Sequence, residues 1–465
     1  MRTTLYGGVR IVDHPDPANV YKLDLQCLPM IYEFHRHGLL ADRDRFAQLE
    51  VVLNAEISDL NERLAIEVGR EVNAASSDDV RSLLIRELGL SAPLGFQMTR
   101  SGQISMDSEL LRSMRGQHPA VDMILRIREL RKLVNTYVAK LPQMLNAEGR
   151  LRTTFRHTST ETGRLSSENP NLQNIPARTK TGIEIRNCFR AAPGNLLISC
   201  DLSQIEMVLA GHLSGDENML RAFREGIDIH TLTVFSAFQM SEAEKQYYMR
   251  LSKMAKREDN GETVVWTEDE RRDWKQFKQQ KRLPAKTVGF GILYGQTAPG
   301  AQWNIVDQGG PVLSIETCEG IISGFFNAYP GIRNWMREQE SRARTRGMVW
   351  DMFGRVRMLP AAMSEIPRIA RKAVREAGNM PIQSSAQGII KLAMAEAMEL
   401  VKRYRRQNYV VMPLLQIHDE LVFEVSEDCA ERFAVDLRDI MIGCVDLKVP
   451  HSASYSVAER WGELK

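Results

Sequence analysis

The fold class follows first from one segment, Leu196-Leu-Ile-Ser-Cys-Asp201-Leu-Ser-Gln-Ile-Glu206-Met-Val-Leu-Ala-Gly-His212. An apolar run predicts a strand, and a helical pattern begins just after Asp201. A carboxylate at the end of a strand is held on a rigid element, as a metal ligand requires. An Asp that merely begins a turn fits equally well, and Ser203 with Glu206 has the spacing of a helix capping box. The segment predicts a mixed α and β protein and leaves the role of Asp201 open.

A second acidic segment lies near the C-terminus, Leu414-Leu-Gln-Ile-His418-Asp419-Glu420-Leu-Val-Phe-Glu-Val425. Two β-type apolar runs flank its acidic centre, which predicts a hairpin with these groups at the turn. An Asp in such a turn is usually structural. Two-metal phosphoryl transfer, however, needs carboxylates that bridge hard cations roughly 3.5 to 4 Å apart. A metal site built from Asp201 and Asp419 is therefore a hypothesis that rests on both segments together.

A third segment is Lys281-Arg-Leu-Pro-Ala-Lys286-Thr-Val-Gly-Phe290-Gly-Ile-Leu-Tyr294-Gly295. Its two cations and two aromatics recur every four residues from Arg282, so they form one stripe along a predicted helix. Such a stripe suits a triphosphate at one end and a sugar and base at the other. Pro284 fits only the first turn, which places Arg282 just before the helix proper. The alternative is an amphipathic helix with a snorkelling basic end.

Composition is that of a large globular protein, with 465 residues, 43% of them hydrophobic and 26% charged, enough for about three subdomains. The net charge of +2 does not by itself mark a nucleic-acid binder. Local basic clusters at 126–132, 342–346, 368–375 and 402–406 could contact DNA or be solvated helix faces. Six widely spaced cysteines predict buried, reduced thiols, and no apolar run approaches the roughly 20 residues of a membrane span, so we expect a cytoplasmic protein.

Periodicity divides the rest of the chain. Residues 1–20 show no sustained period and are interpreted as an extension, with helical spacing from Leu23. Residues 148–200 predict strands and loops, and 241–282 is charge-dense without a core stripe. Helices are predicted at 44–70, 107–142, most of 203–400 and 427–443.

Together with Thr160-Glu-Thr-Gly-Arg164-Leu-Ser-Ser-Glu-Asn-Pro170-Asn-Leu-Gln-Asn-Ile-Pro176, these segments closely resemble the family A DNA polymerases, the group of bacterial DNA polymerase I, in a phage-like variant. The resemblance runs from about Leu23 to Lys465 and includes residues 379–383 and 461–465. It implies an α+β right-hand polymerase fold with an antiparallel palm sheet, a helical thumb and helical fingers. The implied division is an N-terminal extension at 1–22, palm at 23–47, 143–215 and 385–465, thumb at 48–142, and fingers at 216–384 with a charged insertion near 241–281.

The resemblance also implies residue roles. Asp201 and Asp419 match the ligands of two Mg²⁺ ions, for which Mn²⁺ can substitute, and Glu420 matches a nearby acidic residue of lesser catalytic weight. Lys286 matches a proton donor to the leaving pyrophosphate, and Glu206 a steric gate against a ribose 2′-hydroxyl. The groups implied to bind the incoming nucleotide are Arg282, Lys286, His230, Gln204, Glu206, Phe290 and Tyr294. Those implied to contact DNA are Arg164, Asn171, Asn174, Arg375, Asn379, Gln383 and His418.

The implied activity is template-directed addition of deoxynucleoside monophosphates to a primer 3′ end, in replication or repair, by a monomer. Leu202, Val208 and Gly289 depart from the family pattern, which leaves fidelity and pairing geometry open. With the resemblance starting near residue 23, we expect no proofreading or 5′ nuclease domain in this chain, so a separate exonuclease or other replication proteins are candidate partners. Rival functions are a single-subunit RNA polymerase, which Glu206 disfavours, a two-metal nuclease, and a replication subunit without catalysis.

Overall fold

The computed structural model of the chain describes residues 4–91, 104–259 and 261–464. The chain divides into two compact units. The first comprises Met1–Phe34, Phe155–Ser166 and Ile198–Ser456, and the second His35–Thr154, Ser167–Leu197 and Val457–Lys465.

The helices and strands follow in chain order. The helices are α1 Pro17–Gln26, α2 Leu28–His37, α3 Arg43–Val68, α4 Ser77–Arg81, α5 Ser108–Ser113, α6 Pro119–Leu133, α7 Lys180–Arg186, α8 Ile205–Ser214, α9 Glu217–Arg224, α10 Ile229–Ala237, α11 Glu242–Asp259, α12 Glu268–Phe277, α13 Leu283–Leu293, α14 Ala298–Asp307, α15 Ile315–Ala328, α16 Pro330–Arg346, α17 Pro367–Arg405 and α18 Ala430–Gly443. The strands are β1 Leu39–Ala41, β2 Arg150–Leu151, β3 Thr154–Arg156, β4 Ser166–Glu168, β5 Phe189–Arg190, β6 Asn195–Leu202, β7 Met348–Trp350, β8 Val356–Met358, β9 Val411–Ile417, β10 Glu420–Ser426 and β11 Ala453–Ala458.

The second unit is built around the long helix α3. The helix begins after Asp42, whose carboxylate accepts a hydrogen bond from the Arg45 amide at 3.1 Å, and ends at Gly69, which has a left-handed φ of 75°. Its buried face packs on α6, where Arg126 Nε donates to Glu56 Oε1 at 2.9 Å. That face consists of Phe46, Leu53, Ile57, Leu60 and Leu64. The helix predicted at 44–70 is confirmed.

The first unit contains a four-stranded sheet in the order β11-β6-β10-β9. Strands β9 and β10 pair in antiparallel fashion with Ile417 opposite Glu420, so their turn consists of His418 and Asp419 alone. His418 adopts a φ of 56°, the left-handed conformation that such short hairpin turns favour. Helix α17 packs on β9, and every residue from 384 to 395 is buried. The predicted hairpin with acidic groups at its turn is confirmed.

The N-terminal segment that was interpreted as an extension belongs to the first unit. Helix α1 begins at Pro17, earlier than the predicted Leu23, because the Asp16 carboxylate caps it by accepting from the Asn19 amide at 3.0 Å. Asn19 Nδ2 donates to the Phe353 carbonyl at 2.9 Å, and Trp350 Nε1 donates to the Asp13 carbonyl at 2.8 Å. The sequence of this segment has no sustained periodicity, so it did not predict these long-range contacts.

The charge-dense segment forms the helices α11 and α12. Few of its residues are buried, as the missing core stripe predicted, but Tyr248 stacks on Phe277 with ring centroids 4.2 Å apart. The two helices are also joined by an ion pair between Arg250 and Glu270 at 2.6 Å. The segment is therefore a packed helical pair.

At least one arginine in each of three predicted basic clusters makes an internal contact. Arg128 donates to the backbone carbonyls of Ala74 and Met106, each at 2.5 Å, and Arg342 lies 4.0 Å from the centre of the Trp350 ring. The 402–406 cluster is likewise paired, as in the 2.5 Å bond from Arg405 to Glu33. In contrast, the side chains at the start of α17 are exposed, among them Arg371, Lys372 and Arg375.

The cysteines are buried free thiols, as predicted; they are Cys27, Cys188, Cys200, Cys318, Cys429 and Cys444. Burial, with nearby Asp201, raises the pKa of Cys200 to about 12, which keeps that thiol protonated. Within the described ranges, the structure contains no helix of the length and apolarity that crossing a membrane demands.

Candidate active site

Asp201 and Asp419 meet at one end of the sheet. Asp201 lies near the end of β6, and Asp419 lies in the turn before β10, the neighbouring strand. The Leu202 amide donates to the Asp419 carbonyl at 3.2 Å, which joins the two segments directly beside both aspartates. Two carboxylates from distant parts of the chain are thereby brought side by side on rigid elements.

The two carboxylates repel each other electrostatically. Burial and the charges of Asp419 and Glu420 raise the pKa of Asp201 to about 7. Burial and the charge of Glu206 raise the pKa of Asp419 to about 6, against the opposing charge of Arg164. A bound cation would relieve this repulsion and favour the ionised carboxylates.

Glu420 is held by a separate contact. Ser199 Oγ donates to Glu420 Oε1 at 2.5 Å, so part of its carboxylate is already engaged. In the part of the chain that the structure describes, no group of three or more His, Cys, Asp or Glu side chains is arranged to hold a metal ion. Asp201 and Asp419 together are a donor pair that fits Mg²⁺, because this ion commonly takes one or two protein carboxylates and fills its remaining positions with water and phosphate oxygens.

The basic and aromatic stripe forms a helix, as predicted. Pro284 lies in the first turn of α13, and Arg282 directly precedes the helix. A π-helical segment, Lys278–Arg282, continues from α12 into α13. Lys286 and Phe290 are partly buried, and Tyr294, at the end of the helix, is 44% exposed.

Asp228 pairs with the predicted site residue Arg282 and was not predicted from the sequence. Arg282 donates to both of its carboxylate oxygens, at 2.8 and 2.9 Å. The same carboxylate caps α10 by accepting from the Thr231 amide at 2.9 Å. Burial alone would raise the pKa of Asp228, but the hydrogen bonds and charge of Arg282 outweigh it and hold that pKa at about 2. The sequence did show a capping signal, because an Asp stands three residues before Thr231. It gave no sign that this Asp pairs with Arg282.

His230 lies on α10 beside the stripe. Its ring centroid is 5.6 Å from that of Phe290, and the residue is only 1% exposed. Burial lowers the pKa of His230 to about 4, so the imidazole is neutral at pH 7. Its Nε2 is buried and has no hydrogen-bond partner among the described residues, which leaves a polar atom beside the stripe available to a ligand.

Glu206 is a bridging residue, and its interpretation as half of a capping box is wrong. Helix α8 has Gln204 as its N-cap, in a left-handed conformation with φ 52° and without a side-chain cap. Arg164 Nη2 instead donates to Glu206 Oε1 at 2.7 Å, and the Tyr294 hydroxyl donates to Glu206 Oε2. Burial and the Glu206 charge raise the pKa of Tyr294 to about 12.

A cleft of about 260 Å³ collects several predicted site residues in the first unit. It is lined by Arg164, Gln204, Ile205, Glu206, Phe290, Tyr294, His418 and Asp419. Asp419 therefore lines the same cleft as Phe290 and Tyr294, the two aromatic residues of the α13 stripe.

The remaining residues predicted to contact DNA fall in two places. Arg375, Asn379 and Gln383 follow one another at four-residue intervals on α17, and Gln383 hydrogen-bonds to the hydroxyl of Tyr294. Asn171 and Asn174 belong to the second unit. There they line a cavity of about 540 Å³ together with Lys132, Thr136, Tyr137, Lys140, Met144, Asn169 and Pro170.

The three departures from the family pattern are packed positions. Leu202 is fully buried, and Val208 is 2% exposed. A Cβ at Gly289 would lie 3.6 Å from the Phe325 ring and 3.8 Å from His230 Nδ1. This space accommodates a methyl group but leaves little room for a larger side chain.

Paired carboxylates at adjoining strand ends, with a basic and aromatic helix in the same unit, are the features in which this chain resembles the right-hand polymerases. The chain belongs to DNA polymerase family A, since the model of that family matches residues 43–257 and 266–463. Between the two matched ranges, residues 258–265 begin at the end of α11 and stop before α12.

Individual relatives agree with this assignment. The chain is 36% identical over 429 residues to "DNA polymerase I, thermostable" of Thermus thermophilus, covering 92% of this chain and 46% of the relative. It is 33% identical over 447 residues to DNA polymerase I of Chloroflexus aurantiacus, covering 96% and 43%. The chain thus spans just under half the length of these curated relatives.

A solved structure supports the fold. The POL domain of Pol1 from M. smegmatis, in complex with DNA primer-template and dNTP, resembles this chain with a TM-score of 0.77 and 29% identity, covering 96% of this chain and 72% of that one. The predicted α+β fold class is therefore confirmed, whereas the phage-like character stays a prediction.

Proposed function

We propose that this chain is a template-directed DNA polymerase that adds deoxynucleoside monophosphates to a primer 3′ end and releases pyrophosphate. The observation that carries the proposal is the meeting of Asp201 and Asp419 at adjoining strand ends, in the same unit as the Arg282 and Lys286 stripe. Phosphoryl transfer asks a protein chiefly for positioning and charge neutralisation, which these groups provide.

Each side chain has a definite task in this proposal. Asp201 and Asp419 hold two Mg²⁺ ions, which when bound supply charge neutralisation and acidify the primer 3′-hydroxyl. Arg282 and Lys286 bind the triphosphate, and Lys286 protonates the leaving pyrophosphate. His230, neutral and buried, presents Nε2 to the same phosphates as a hydrogen-bond donor.

The opposite end of the stripe selects the sugar and the base pair. Phe290 and Tyr294 hold the sugar and close the nascent pair, next to Gln204. Glu206, fixed by Arg164 and Tyr294, excludes a ribose 2′-hydroxyl. Its carboxylate can act as a gate because two partners prevent it from swinging away.

Primer-template DNA and deoxynucleoside triphosphates are the proposed partners. Arg164, Arg375, Asn379, Gln383 and His418 contact primer, template or minor groove. Asn171 and Asn174 contact DNA from a cavity whose Lys132 and Lys140 suit backbone phosphates. By the family resemblance we assign the palm to 23–47, 143–215 and 385–465, the thumb to 48–142 and the fingers to 216–384.

Primer extension on a defined template tests the proposal. Wild-type protein with Mg²⁺ and deoxynucleotides is expected to extend the primer, and removal of Mg²⁺ by a chelator to abolish extension. Asp201→Asn and Asp419→Asn are each expected to lose at least about a thousandfold in rate, because each removes a metal ligand. Asp439→Asn, an exposed carboxylate on α18, is the matched control and should retain full activity. Full activity in either active-site variant would overturn the assignment.

The same assay distinguishes the rivals. Extension with ribonucleotides as readily as with deoxynucleotides would indicate an RNA polymerase and overturn the Glu206 gate. Shortening of the primer without extension would indicate a nuclease. DNA binding without either reaction would indicate a non-catalytic subunit.

A further inference from the structure

A second cavity, of about 590 Å³, adjoins the phosphate end of the α13 stripe within the first unit. Gln204, Asp228 and Arg282 form its boundary with the candidate active site. Its opposite wall is one face of α11, with Met249, Ser252, Lys253, Lys256 and Asp259 at helical spacing. The charged segment near 241–281 therefore encloses a space that opens beside the predicted triphosphate-binding arginine. We call this space the lysine cavity.

Positive charge predominates in the lysine cavity. Its cations are Lys253, Lys256, Lys278 and Arg282, and its carboxylates are Asp228 and Asp259. Asp228 is already paired with Arg282, and Lys256 donates to the Gly226 carbonyl at 3.1 Å. Among the described residues, neither Lys253 nor Lys278 has a carboxylate partner. Lys253 and Lys278 therefore line the lysine cavity as exposed cations that form no ion pair with a described carboxylate, and Asp259 is the one carboxylate of the lining that is not paired with Arg282.

The lining also contains an unused hydrogen-bond donor. Trp274 lines the lysine cavity and is 7% exposed, yet its Nε1 is buried and lacks a hydrogen-bond partner in the described part of the chain. Because an indole N–H can only donate, a ligand that satisfies it must offer an acceptor. A buried orphan donor with neighbouring cations is the combination that an oxyanion would complete.

We propose that the lysine cavity binds the inorganic pyrophosphate released by the reaction, with Lys253 and Lys278 as its principal ligands. This inference rests on the proposed polymerase function. In that reaction the primer 3′-hydroxyl gives up its proton to solvent and its oxygen bonds to the α-phosphorus, while the bond from the α-phosphorus to the bridging oxygen breaks. Pyrophosphate leaves with the electron pair and takes a proton from Lys286. The lysine cavity lies next to Arg282, where the outer phosphates are bound, so it offers the product a cationic site away from the primer end.

Direct binding tests the proposal without catalysis. Inorganic pyrophosphate is titrated calorimetrically into the metal-free, DNA-free chain of 465 residues. The double variant Lys253→Ala/Lys278→Ala is expected to weaken binding about tenfold or more, since each lysine supplies a charge-assisted contact. The matched control is Lys245→Ala/Lys275→Ala, which removes the same charge from a half-buried position on α11 and an exposed position on α12, both outside the lysine cavity.

The outcomes separate the alternatives. Equal weakening in both double variants would show a general charge effect and overturn the proposal, as would unchanged binding. Lys253→Arg/Lys278→Arg keeps the charge and should retain pyrophosphate binding, which guards against a folding defect as the explanation. Weakened binding of a single-stranded oligonucleotide with unchanged pyrophosphate binding would assign the surface to nucleic acid instead.

Inhibition of primer extension supplies the functional readout. Added pyrophosphate should inhibit the Lys253→Ala/Lys278→Ala variant about tenfold less strongly than wild type, with the control unchanged. If the wild-type protein fails to extend primers, the polymerase proposal fails while the calorimetric result still decides whether the lysine cavity binds pyrophosphate.

Discussion

Replacing Asp24 by Asn should show how much the contacts between helix α1 and the rest of the first unit stabilise the protein. Asp24 Oδ1 accepts from Lys391 Nζ at 2.6 Å and from Arg355 Nη2 at 2.7 Å. The Lys391 side chain is 0% exposed and lies in the fully buried part of α17. Asn at position 24 would therefore leave a buried ammonium without its counter-charge. Breaking a buried ion pair on one side costs about 3–5 kcal/mol, and we expect a loss of that size.

Urea denaturation followed by circular dichroism measures this loss in the free energy of unfolding. Asp13→Asn is the control, because its side chain is fully exposed on the same N-terminal segment, and its change should stay within about 0.5 kcal/mol. Asp24→Asn/Lys391→Met removes the stranded ammonium and should recover part of the loss. A loss below about 1 kcal/mol for Asp24→Asn, or a double variant no more stable than the single one, would refute the role of the buried charge.

Three further changes test other parts of the first unit. Gly289→Ala should stabilise the protein by about 0.5–1 kcal/mol in thermal denaturation, because it raises helix propensity where a Cβ meets only ordinary contacts; Gly324→Ala, whose Cβ would collide with the Ala237 backbone, should destabilise it instead. His230 binds a proton below about pH 6.5 when unfolded but only near pH 4 when folded, so the unfolded state binds more protons between these values and the free energy of unfolding falls as pH falls. His230 should lower the free energy of unfolding by about 2 kcal/mol when the pH falls from 7 to 5, and His230→Gln should remove this effect. An identical pH dependence in the variant would contradict the lowered pKa of His230. Asp228→Asn keeps an acceptor that can cap α10 but removes the charge that holds Arg282. The value of kcat/KM for the nucleotide in primer extension should therefore fall about tenfold, with little loss of stability. An unchanged kcat/KM would show that Arg282 is positioned without Asp228.

Local sequence pattern was sufficient for several elements of the site. The β9 and β10 hairpin follows from two alternating apolar runs around His418 and Asp419, and α13 follows from residues spaced four apart. Pro284 even located the start of that helix. These features depend on neighbours within one or two turns, so periodicity encodes them directly.

Other features required the folded chain. Asp201 is adjacent to Asp419 because β6 lies next to β10. Periodicity shows which face of a strand is buried but does not name its neighbour. Glu206 looked like a capping residue until the fold brought Arg164, 42 residues away, into contact with it.

The same limit explains the two contacts that sequence reasoning missed. Arg282 pairs with Asp228 across 54 residues, and Lys391 pairs with Asp24 across 367. An isolated acid or base in a sequence carries no sign of its partner, because charge pairing depends on distance in space and on desolvation. The sequence alone thus showed which acidic, basic and aromatic side chains belong to the candidate active site, namely Asp201, Asp419 and the α13 stripe. Only tertiary packing brought them together into one charged site.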